Sequence, residues 1–88
     1  MKEEKLLIVK INSLLKQKNA KLIEFKYYKK VFGNMVVLIE NGEQKHLFVA
    51  DKGAIYHNDK LFCDNSYHIK GKDDCFNKLC EAIMTVLK

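Results

Sequence analysis

At Asn19 the hydrophobic pattern of the chain changes period, and that change does most to limit what the chain can fold into. Before it, Leu7, Ile8, Ile11, Leu14 and Leu15 recur at steps of three and four, the spacing of one helical face, with lysines and glutamates around the rest. After it, Ile23, Phe25 and Tyr27 alternate with Glu24, Lys26 and Tyr28, a period of two in β-branched and aromatic residues. An amphipathic helix over Lys2 to about Lys18 therefore gives way to a strand. Glu3 and Glu4 in the first turn and Lys16 and Lys18 in the last suit the helix macrodipole.

Turn dipeptides divide the middle of the chain. Gly33-Asn34 separates Lys29–Phe32 from Met35–Ile39, and Asn41-Gly42 supplies the two positive-φ positions of a type I′ hairpin at least cost. A third strand, Leu47–Ala50, follows; Asp51-Lys52-Gly53 and Asn58-Asp59 then set off two shorter ones, Ala54–His57 and Lys60–Cys63. Asp64 to Gly71 reads as a loop, with Asp73 or Asp74 capping a closing helix in which Phe76, Leu79, Cys80, Ile83, Met84 and Leu87 keep helical spacing. The expected fold is α+β, a single domain of residues 1–88: an N-terminal helix, an antiparallel meander of three to five strands and a C-terminal helix.

Two-residue turns at Gly33-Asn34 and Asn41-Gly42 would put Phe25, Tyr27, Val36, Leu38, Leu47 and Val49 on one sheet face, the expected core. Tyr28, Phe32, Met35, Val37, Ile39 and Phe48 would then share the opposite face, too apolar to be left in water. Either one helix packs on each side, or both pack on one side and the other face meets another molecule, most simply a copy of itself.

With 88 residues the chain has material for one core, and a deep cleft would cost stability that so small a domain can hardly spare; a binding surface is the natural expectation. The apolar run Leu6–Val9 is closed by Lys10, too short for a secretion signal, and no stretch reaches membrane-spanning length, so a cytoplasmic protein without membrane contact is expected. Cys63, Cys75 and Cys80 are read as free thiols. The net charge of +5 favours anionic partners, but all sixteen basic residues are lysines, which lack the planar fork that reads guanine.

Chemistry-bearing residues concentrate in Cys63-Asp64-Asn65-Ser66-Tyr67-His68. Zinc bound by Cys63, His68, Cys75 and Cys80 is disfavoured because Cys75 and Cys80 would lie about 140° apart around a helix. A Cys63 nucleophile with His68 as base lacks an oxyanion loop nearby, and Asp64, Asn65 and Ser66 suit a turn. His46 and His57 are pH-sensitive groups on expected strands without an evident partner. Phosphate-binding and metalloprotease motifs are absent from the sequence, so no enzyme activity and no cofactor are expected.

Aromatic and basic residues interleave in Phe25-Lys26-Tyr27-Tyr28-Lys29-Lys30, which suits nucleic acid, bases stacking on the tyrosines at on the order of 1–3 kcal/mol each while the lysines hold phosphates. The order helix, three-stranded meander, helix resembles that of double-stranded-RNA-binding domains in topology alone. Those domains carry a basic cluster at the start of the last helix, where this chain has Gly71-Lys72-Asp73-Asp74, and the hairpin at 54–63 is additional. No family is assigned on that basis.

The functional expectation is a non-enzymatic protein that binds another protein, a regulator or inhibitor such as phages and mobile elements direct against host defence enzymes. A homodimer is a further expectation, and nucleic-acid binding the alternative. The expected contact residues are Lys26, Tyr28, Lys30, Phe32, Ile39 and Phe48.

Overall fold

The structure is a computed structural model that describes residues 2–28, 34–64 and 72–87. Its elements follow the expected order: helix α1 (Lys2–Lys16), strands β1 (Ala20–Tyr28), β2 (Asn34–Asn41), β3 (Gln44–Asp51), β4 (Ala54–His57) and β5 (Lys60–Asp64), and helix α2 (Lys72–Val86). The strands form one antiparallel sheet in sequence order, β1-β2-β3-β4-β5. At the end of α1 the amides of Gln17, Lys18 and Asn19 bond three residues back, to Leu14, Leu15 and Lys16, which tightens the last turn. Asn19, left-handed at φ 56°, then turns the chain into β1.

Both helices lie on the same face of the sheet. Leu7, Ile11 and Leu15 of α1 and Cys75, Phe76, Leu79, Ala82 and Ile83 of α2 form one buried cluster with Met35, Val37, Ile39, Phe48, Ala50 and Ile55 of the sheet. Phe25 and Tyr27 pack against it from β1. This resolves the alternative left by the sequence: the two helices share one side, and among the described residues no element covers the other. No described helix is long and apolar enough to cross a membrane.

The expected assignment of faces is corrected by the register of β1 against β2. The described pairs end at Tyr28↔Asn34, with Phe25 opposite Val37 and Tyr27 opposite Met35, an odd shift from the register that a two-residue turn at Gly33-Asn34 would set. An odd shift in register moves a whole strand to the other face. Phe25 and Tyr27 thus belong with Met35, Val37, Ile39 and Phe48, while Val36, Leu38, Leu47 and Val49 lie on the uncovered face with Lys26 and Tyr28. The β2–β3 turn also differs. Asn41 pairs with Gln44, leaving Gly42-Glu43 as the central residues, and Gly42 at φ 65° takes the first position that a type II′ turn reserves for glycine.

The two remaining hairpins are tight. Lys52-Gly53 and Asn58-Asp59 have positive φ at both central positions, as type I′ turns require. Bulges interrupt β1 between Leu22 and Glu24 and the β4–β5 pairing at Ile55/Tyr56, so both edge strands carry an irregularity that discourages pairing with a further strand.

Candidate functional site: the uncovered face of the sheet

The register builds the outer face row by row. Lys26 on β1 stands opposite Val36, Val36 opposite Val49, Val49 opposite Tyr56 and Tyr56 opposite Leu61, one line across all five strands. The next row holds Glu24, Leu38 and Leu47, and the one beyond it Lys21, Glu40 and Lys45. At the other end lie Tyr28, Asn34 and Asp51. The centre is therefore aliphatic, with charges confined to the two ends and to β1.

Exposure agrees with this map. Val36, Leu38, Leu47, Val49 and Tyr56 are half-buried, while Leu61 is 58% and Tyr28 46% exposed. The ends are held in place by polar contacts: Asn34 Nδ2 donates to Asp51 Oδ1 at 2.9 Å, and the Lys52 amide donates to Asn34 Oδ1 at 2.9 Å, tying the start of β2 to the β3–β4 turn. Lys26 Nζ approaches Glu24 Oε1 at 3.7 Å, with both side chains about half exposed, a contact of at most about 1 kcal/mol.

The expected contact residues separate. Lys26 and Tyr28 are on this face and accessible. Ile39 and Phe48 are not: both are fully buried under the helices, where each contributes about 1.5–3 kcal/mol by leaving water, so they are core residues and not contacts. Lys30 and Phe32 lie outside the described residues. Val36, Leu38, Leu47 and Val49, which the sequence pattern put in the core, take the place of Ile39 and Phe48 as the apolar surface.

A second feature escaped the sequence reading. His46 and His57, expected to be partnerless, meet on the helix side of the sheet with Nδ1 and Nε2 2.8 Å apart, and the His57 ring stacks on Phe48 at 4.9 Å between centroids. Burial, and then the charge of His46, push the His57 pKa below its ordinary value. The tight Lys52-Gly53 turn carried the signal for this pair, because it sets His57 opposite Phe48 and so diagonal to His46.

Of the thiols, Cys75 is fully buried and Cys63 and Cys80 are half-buried. Burial pushes the Cys80 thiol up to about 11, Lys10 opposing and Glu81 adding to the shift. His68, the base in the catalytic expectation and a ligand in the zinc one, lies outside the described residues. Among the described residues no group of three His, Cys, Asp or Glu side chains is placed to hold a metal ion. An open cleft of about 510 Å³ runs between Phe62 and Cys63 of β5 and Ala82, Met84 and Thr85 of α2.

No protein-family model matches this chain, and neither a curated protein nor a solved structure is matched by it.

Proposed function

We propose that this chain is a non-enzymatic protein-binding module, a regulator or inhibitor that acts by protein–protein interaction through the outer face of its sheet. The observation that carries this reading is the aliphatic centre of that face, Val36, Leu38, Leu47 and Val49, which no described element covers although both helices are spent on the opposite side. A continuous apolar patch with a polar rim is the usual mark of a protein contact surface. Tyr28, Tyr56 and Leu61 add large side chains of the kind that dominate interface energy. Nucleic acid is a poorer fit, since Lys26 lies beside Glu24 and Tyr28 shares its end of the face with Asp51. Those carboxylates would repel phosphates that the lysines attract.

The test is affinity capture from lysate of the source cell with nuclease present, comparing the natural chain with Val49→Asp on the face and Val9→Asp on the exposed side of α1. Recovery of a protein in near-equal amount, lost with Val49→Asp and kept with Val9→Asp, is the expected result. Recovery that depends on nucleic acid, or that Val49→Asp leaves intact, would overturn the reading.

A further inference from the structure

The outer positions of the central strand are Lys45, Leu47, Val49 and Asp51, at intervals of two and centred on Phe48. This order reads as its own complement. A two-fold axis laid across the strands at Phe48, in the plane between two stacked sheets, turns the series end for end: Lys45 of one copy meets Asp51 of the other, and Leu47 meets Val49. The ion pair and the apolar contact each form twice, as an isologous interface requires.

The neighbouring strands obey the same operation. On β2 the outer positions Val36 and Leu38 exchange places, keeping apolar against apolar, and Asn34 comes over Glu40, an amide donor over a carboxylate. On β1, Glu24 and Lys26 exchange, so each charge meets its opposite. Across β1, β2 and β3 the operation sets no two like charges against each other. Two sheets stacked in this way lie about 10 Å apart with strand directions within about 30°, so the match is closest near the axis, where the aliphatic residues are.

We infer that the occupant of the outer face is a second copy of this chain, and that the pair is a face-to-face dimer with Lys45–Asp51 contacts on either side of a Leu47/Val49 and Val36/Leu38 centre. This rests on the reading of the outer face as a protein contact surface and names its partner. Like-charge contacts on a shifted or rotated stack would select against other alignments.

Sedimentation velocity on the full chain, at physiological salt of about 0.15 M and from low micromolar to a few hundred micromolar protein, tests it. Twice the chain mass of 10.3 kDa is expected for the natural sequence. Lys45→Asp or Asp51→Lys alone should weaken the dimer tenfold or more, and the two together should restore it. Glu24→Lys, Lys26→Glu and their combination repeat the design on β1, with no residue in common with the first set. Circular dichroism checks that each variant folds. A monomer over the whole range overturns the dimer, as does a dimer indifferent to both single replacements on β3. A monomer whose capture of a different protein is lost with Val49→Asp overturns the dimer and leaves the binding-module reading standing. A charge-swap-sensitive dimer supports it even when no other protein is captured.

Discussion

His46 Nδ1 and His57 Nε2 share one hydrogen bond of 2.8 Å across β3 and β4, which admits a proton from one ring only. Two imidazolium rings there would set N–H against N–H. Phe48 lies against both rings, Ile39 stands opposite His46, and Lys60 stands opposite His57, so no carboxylate is among these register neighbours to favour a second charge.

Because burial and His46 hold the His57 pKa below 6.5, the unfolded chain takes up a proton more readily than the folded one. The stabilisation is complete above pH 6.5 and is lost as pH falls below it toward the folded value. Melting temperature should therefore drop between about pH 7.5 and about pH 5.5, and the drop should be shallower in His57→Gln. An equal slope in the two proteins would show that the pair has no part in it.

Phe48 fills the centre of the core, and Phe48→Ala should cost about 3–5 kcal/mol, whereas Leu38→Ala on the half-buried outer face should cost less than about 2 kcal/mol. Urea titration followed by circular dichroism measures both. Phe48→Asp should fail to fold, the reverse of what a surface position would show.

Asn58 is left-handed at φ 50° and its Oδ1 accepts the Leu47 amide at 2.8 Å, while its own amide donates to the Leu47 carbonyl at 2.8 Å. Asn58→Ala loses the side-chain bond and strains the turn, at about 1–3 kcal/mol; Asn58→Gly loses only the bond and should retain more stability. Denaturation midpoints that place the glycine variant below the alanine one would contradict this account of the turn.

Cys80, with its thiol pushed up to about 11, is thiolate at neutral pH only at the level of about one part in ten thousand. Iodoacetamide should label it slowly in the folded protein, at a rate that rises about tenfold for each unit of increasing pH up to about 11, and at the ordinary rate in urea. Mass-spectrometric mapping that finds rapid labelling of native Cys80 at neutral pH would refute the burial of the sulfur.

The order of elements was legible because the apolar period changes once at Asn19 and changes back before α2, and because most of the strand connections are short turns with their own residue preferences. The faces were legible only where such turns set the register. Asn41-Gly42 was placed one residue early, yet β2 and β3 kept their relation because the shift preserved parity. The register of β1 on β2 differs by an odd number of residues from the one a two-residue turn at Gly33-Asn34 would set, so parity changes and Phe25 and Tyr27 leave the company of Val36 and Leu38. The expected contact set divides along that slip: Lys26 and Tyr28 lie on the outer face, whereas Ile39 and Phe48 lie in the core and the residues beside them in sequence face outward. A strand apolar on both faces, such as Met35–Ile39, gives no internal sign of which side the helices will take.

The strand order, in which each strand pairs only with its neighbours in sequence, bears on how the chain finds its structure. Every strand pairing closes a short loop, and each further doubling of loop length would add only about 0.6 kcal/mol of lost chain entropy. The sheet is thus able to grow hairpin by hairpin from the tight turns at Lys52-Gly53 and Asn58-Asp59, without waiting for distant segments to meet. The helices at the two ends of the chain meet only by docking onto the finished sheet. Because α2 follows all five strands in sequence, synthesis completes the sheet before it supplies the helix that packs on β3 over Phe48.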